Sequence, residues 1–102
     1  VVAARLKRVP VLLDGYVCTA AVAALEVACP GALDHCMVAH NSVEPGHQTI
    51  CEKINKKALF DLGMRLGEGS GAVLAVGMVR AAVACHNGMA TFGDAGVATK
   101  EE

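Results

Sequence analysis

At 102 residues the chain carries one domain's worth of sequence, long enough to bury a core but near the size where burial only modestly exceeds its entropic cost. Hydrophobic residues make up 54%, yet aromatics only 3% with no tryptophan, so the core must be built from alanine, valine and leucine, which bury little area each. Nine Lys and Arg against ten Asp and Glu leave a formal charge of -1, and the basic patches at Arg5, Lys7, Arg8 and at Lys53, Lys56, Lys57 lack interleaved aromatics, which argues against a nucleic-acid partner.

Residues 1–9 form an N-terminal segment with no assigned element. Pro10-Val11-Leu12-Leu13-Asp14-Gly15 is an apolar run closed by a turn pair, the pattern of a buried strand whose carboxyl end is Asp14. Thr19 is expected to open an alanine-rich helix that stops at Pro30-Gly31. Cys36 to Ala39 reads as a second strand, ending at His40-Asn41-Ser42. Glu44-Pro45-Gly46 should open the next helix, with proline in its first turn and its end near Asn55. Ala58 to Leu62 reads as a third strand, and Ser70 to His86 as a helix charged only at Arg80. Residues 88–102 make a weakly specified tail of loop or short helix.

This rhythm predicts an α/β fold, a portion of a parallel Rossmann-like three-layer sheet with about three strands and flanking helices, spanning residues 10–87. In such sheets function gathers at the carboxyl ends of the strands, which places Asp14, His40 to Ser42 and Glu68 on one rim. The helix from Ser70 is apolar on nearly every face and has to be covered by further chain or a partner subunit. The opening VVAARLKRVP, without methionine, also suggests a fragment or a processed product.

The uncharged stretches Gly15 to Leu25 and Gly69 to Val79 are each 11 residues long, short of the roughly 20 needed to span a bilayer. No membrane partner is expected. Five cysteines, Cys18, Cys29, Cys36, Cys51 and Cys85, are irregularly spaced, without a C-x-x-C pair or a secretory signal, which predicts reduced thiols serving as small core hydrophobes in a soluble, cytoplasmic chain. The set His35, Cys36, His40 and His47 matches no common zinc spacing.

GMRLGEGSGA, residues 63–72, holds four glycines around one carboxylate, Glu68. Gly67 to Ala72 literally fits G-x-G-x-x-G/A, but no acidic strand end follows about 20 residues on, as a dinucleotide ribose would require. No G-K-[ST] closes it as a P-loop. Two readings remain from the residues alone: a solvated turn whose glycines supply positive φ, or a loop that holds a base beside a helix N-terminus, where negative charge is favoured.

Three blocks stand in order along the chain: DGYVCTAA from Asp14, HNSVEPGH from His40, and GMRLGEGSGA from Gly63. Together, over about Pro10 to His86, they closely resemble the carboxyl-terminal third of the nicotinate-nucleotide–dimethylbenzimidazole phosphoribosyltransferase family. The resemblance implies that Glu68 is the catalytic base. It would take a proton from one ring nitrogen of dimethylbenzimidazole while the other nitrogen attacks the anomeric carbon of nicotinate mononucleotide and nicotinate leaves with inversion. It implies further that Leu66 and Gly67 line the substrate site and that Ser42 offers a hydroxyl to the nucleotide; Asp14, at a strand end, is a further substrate-binding candidate. No cofactor and no metal are implied. The implied partners are the two substrates and either a second copy, as a homodimer, or an upstream chain portion carrying the family's second glycine-rich segment. Ala39 and Asn41 stand where the family pattern has serine and arginine, so contacts of those two side chains do not carry over. A different class of function is a non-catalytic remnant or small nucleotide- or azole-binding module of the same fold.

Overall fold

A computed structural model describes residues 1–98. Three strands form one sheet in the order β1 (Val11–Leu13), β2 (Cys36–His40), β3 (Ala58–Phe60), both pairings parallel. The register sets Leu13 beside Val38 and His40 beside Phe60. Helices α1 (Val2–Leu6), α2 (Tyr16–Ala28), α3 (His47–Lys53) and α4 (Ser70–Gly88) are the helices among the described residues.

Strand alternation divides the layers. Cys36 and Val38 point into a cluster with Leu13, Leu33, Cys51 and Ile54 on the side of α2 and α3. Met37 and Leu59 instead line a groove with Met78, Val79, Ala82 and Val83 of α4. The expected three-layer α/β arrangement is therefore present. By length and composition alone α4 could cross a membrane, but it sits on the sheet through buried Gly71 and Ala75.

Several boundaries differ from the sequence reading. Residues 2–6 form α1 rather than an unassigned segment. Thr19 does not open α2: the helix starts at Tyr16, Gly15 is its N-cap, and the Cys18 thiol holds Gly15 through 3.2 Å contacts with its N–H and its carbonyl. Thr19 is wholly buried inside the first turns. At the other end the Glu26 carboxylate accepts from the N–H groups of Gly31 and Leu33 at 2.7 and 2.8 Å, and these two bonds hold its carboxyl below the usual range.

Helix α3 starts after Pro45 rather than at Glu44, because Gly46 turns the chain through a left-handed φ of 89°. β3 ends at Phe60, since Asp61 leaves the ladder to accept hydrogen bonds from the Asn41 side chain and the Gly63 N–H. In the tail, Thr91 and Asp94 close a turn through reciprocal side-chain bonds; positions 99–102 lie outside the described residues. The cysteines divide: Cys36 and Cys51 are buried, whereas Cys29 and Cys85 are exposed and so are not core hydrophobes. Cys85 lies on a surface of α4 that the described residues leave uncovered, and Cys29 is the extended residue that follows α2.

Candidate active site

The carboxyl ends of β1 and β2, the start of α2 and the glycine loop surround a cleft of about 620 Å³. Asp14, Ser42, Leu66, Gly67 and Glu68 all border it, so the rim expected from the parallel topology brings the five candidates together. Tyr16, Cys18, His40 and Glu44 complete much of the wall.

The loop's shape follows from three consecutive left-handed residues, Gly67, Glu68 and Gly69, at φ of 76°, 56° and 81°. Glycine adopts that region freely, but a glutamate there is strained by about 1–3 kcal/mol. Glu68 nevertheless projects at the cleft, exposed, immediately before the first turn of α4. β3 ends well before Gly67, so no strand runs straight into the glycines as the dinucleotide fingerprint demands.

The first turn of α4 is capped from far away. Its N-cap, Gly69, has no side chain, and the Asp14 carboxylate at the end of β1 takes that role, accepting from the Gly69 N–H at 3.0 Å and the Ala72 N–H at 2.9 Å. Beneath it lies the buried ring of His40, stacked on Phe60 at 6.3 Å and with Nε2 3.9 Å from Asp14 Oδ1. A Cβ at Gly71 would lie 2.1 Å from the His40 ring, and one at Gly15 would lie 2.8 Å from it. Only glycine lets both helix starts close on this pair.

The HNSVEPGH block builds the adjoining wall. His47, wholly buried, accepts at Nδ1 from the Ser42 N–H at 2.8 Å, which fixes a neutral ring protonated at Nε2. Burial, and to a smaller degree the neighbouring His40, push its pKa down. The Ser42 hydroxyl accepts from the Glu44 N–H at 3.2 Å, a turn-stabilising bond that leaves its own proton to donate. Arg65 reaches Glu44, Nε and Nη2 donating to one carboxylate oxygen at 3.1 and 2.7 Å. The pair ties the glycine loop to the turn before α3.

Sequence reasoning passed over Tyr16 and the supporting roles of His40 and His47. The signal for the histidines was present in HNSVEPGH: two histidines flanking a proline-glycine turn, in a chain with few aromatics to fill the space.

A family model described as phosphoribosyltransferase matches residues 1–97. The nicotinate-nucleotide–dimethylbenzimidazole phosphoribosyltransferases of Rhizobium meliloti strain 1021 and Sinorhizobium medicae strain WSM419 are each 60% identical to the chain, over 99% and 98% of it. A crystal structure of the enzyme of that name from Thermus thermophilus superposes with a TM-score of 0.86 at 39% identity, covering 97% of this chain and 30% of that one. The chain spans about 30% of the length of the curated relatives it matches. With a family match over nearly every residue and the glycine loop, the Asp14 cap and the cleft arranged as described, the chain belongs to the nicotinate-nucleotide–dimethylbenzimidazole phosphoribosyltransferase family.

Proposed function

We propose that this chain supplies the proton acceptor and one wall of a site that transfers the phosphoribosyl group of nicotinate mononucleotide to 5,6-dimethylbenzimidazole. The observation that carries the reading is Glu68, a carboxylate kept in a strained left-handed turn and presented to the cleft. A solvated turn between glycines would gain from a further glycine at that position.

The chemistry follows from the substrates. Glu68 accepts the N–H proton of the azole as the other ring nitrogen forms a bond to the anomeric carbon. The bond from that carbon to the pyridinium nitrogen breaks on the opposite face, and nicotinate departs with the bonding pair, its ring nitrogen neutralised. The product is the α-linked nucleotide. Ser42, with a hydroxyl proton to donate, faces the nucleotide; Leu66, 75% exposed, and the bare backbone of Gly67 offer an apolar and a close-approach surface. Completion of the site and covering of α4 fall to a second copy or to further chain of the family fold. The test is phosphoribosyl transfer by Glu68→Gln in the active form of the enzyme that contains this chain, beside a control at Glu52, which is exposed on α3. A fall of about 10²–10⁴ in kcat for the first alone is expected.

A further inference from the structure

Glu68 has an aim only if the turn that carries it has a fixed reference, and the turn is bonded to the residue that follows β1. We propose that Asp14 is the positioning residue of the catalytic turn, acting on the reaction through Glu68 rather than by holding substrate; the proposal rests on Glu68 being the base.

Both oxygens of Asp14 are occupied by backbone. Oδ2 takes the N–H of Gly69, the residue directly after Glu68, and Oδ1 takes the N–H of Ala72 one turn into α4. Asp14 itself leaves β1 directly after Leu13, whose register with Val38 fixes it in the sheet. The His40 N–H, on the neighbouring strand, donates to the Asp14 carbonyl at 3.4 Å, so the backbone is held as well as the side chain. The bare Cα of Gly71 is required on the same side, where a Cβ would stand 3.0 Å from Oδ1. The carboxylate is thereby boxed between the sheet and α4, with its side chain 16% exposed.

Two bonds to charged oxygen at successive points of one turn fix both the direction of α4 and the rotation at Gly69. Glu68 precedes that residue, so a loosened Gly69 swings the carboxylate across the cleft. Small losses of alignment at a reacting centre are amplified in rate, whereas a substrate ligand would be felt in binding.

The experiment is a cycle in the active form of the enzyme, with Asp14→Asn, Asp14→Ala and Glu68→Gln singly and the two positions combined. Asparagine keeps one acceptor oxygen and nearly the same shape, so a reduction in kcat of about 10-fold is expected for it and about 10²-fold for alanine, with the dissociation constant of nicotinate mononucleotide changed less than about threefold. In the Glu68→Gln background, Asp14→Ala should lower kcat by less than about a further threefold, because the group it positions is gone. Amide exchange should quicken at Gly69 and Ala72 while Val38 in the sheet stays protected, which separates a loosened turn from lost fold; if the alanine variant does not fold, asparagine carries the cycle. Nucleotide binding weakened tenfold or more with kcat retained would make Asp14 a substrate ligand. Equal losses in both backgrounds would make it independent of Glu68. Either result overturns the proposal and leaves the base intact, whereas a fully active Glu68→Gln removes the base itself and this proposal with it.

Discussion

The backbone N–H of Ser42 donates to Nδ1 of His47 at 2.8 Å across a buried turn, so the wall that presents the Ser42 hydroxyl depends on an uncharged imidazole. The folded pKa of His47 lies below its ordinary 6.5, through burial first and the neighbouring His40 second. Between 6.5 and the depressed value the unfolded chain binds a proton that the folded chain refuses, so stability is fully present above 6.5 and is lost as pH falls through that window, by up to about 1.4 kcal/mol per pH unit. Asp61 and Asp94, whose carboxyls are held down by hydrogen bonds, act only below their ordinary 3.8. Urea denaturation at pH 7.5 and 5.5 should show the loss in the parent chain and a smaller one in His47→Asn, whose amide oxygen can accept from Ser42. Equal slopes in the two proteins would remove His47 as the titrating group.

The buried thiols behave oppositely at high pH. Burial is the largest cause raising Cys36 and Cys51 above their ordinary 9.0. Each therefore contributes stability that fades as pH climbs past 9.0, where the unfolded thiol ionises first. At neutral pH, alkylation by iodoacetamide should reach exposed Cys29 and Cys85 readily and Cys36 and Cys51 on the order of 10³-fold more slowly, through unfolding. Uniform labelling followed by peptide mapping would contradict the packing of β2 against α3.

The strands were legible because Val11–Leu13 and Cys36–His40 are short apolar runs closed by turn residues, and parallel pairing then forces their carboxyl ends onto one rim. The start of α2 was not, because a glycine cap leaves no side-chain signature and Thr19 offered a false one. The division of the cysteines depends on which surfaces of strand, helix and turn the fold covers, which composition does not encode. Nor could the Asp14 cap be read. Its donors lie 55 and 58 residues away, and a side chain that satisfies the backbone of a distant helix has no local pattern. The family blocks pointed to Glu68 and the strand end to Asp14; only the fold shows that the Asp14 carboxylate is bonded to the turn that carries Glu68.

Helix α4 leaves Val73, Leu74, Val76, Met78 and Val83 each at least 46% exposed. An apolar surface of that kind on one helix is normally covered. The isolated chain is expected to self-associate at micromolar concentration in sedimentation velocity, and Met78→Lys with Val83→Lys should shift it toward monomer without changing its circular dichroism. A well-folded, strictly monomeric parent chain would show that α4 tolerates water on that face.

The left-handed turn allows stability and function to be separated at a single position. Glu68 is exposed and holds φ at 56°, a conformation that disfavours a residue with a Cβ by about 1–2 kcal/mol. Glycine would remove that penalty, while its extra freedom in the unfolded chain returns about 0.5–1 kcal/mol of the gain. Glu68→Gly should therefore leave the fold as stable as the parent or more stable by up to roughly 1.5 kcal/mol. Glu68→Gln, which keeps the strain and the size, should stay within about 0.5 kcal/mol of it. Loss of a general base predicts the opposite ranking for chemistry, a fall in transfer rate of about 10²–10⁴ in both variants. Denaturant midpoints of the chain and kcat of the active enzyme, measured on the same two substitutions, decide between a base and a turn residue. A glycine variant that is both more stable and fully active would show that the strain at Glu68 serves no catalytic purpose; one that is more stable and inactive identifies the strain as the consequence of placing a carboxylate where the azole proton must go.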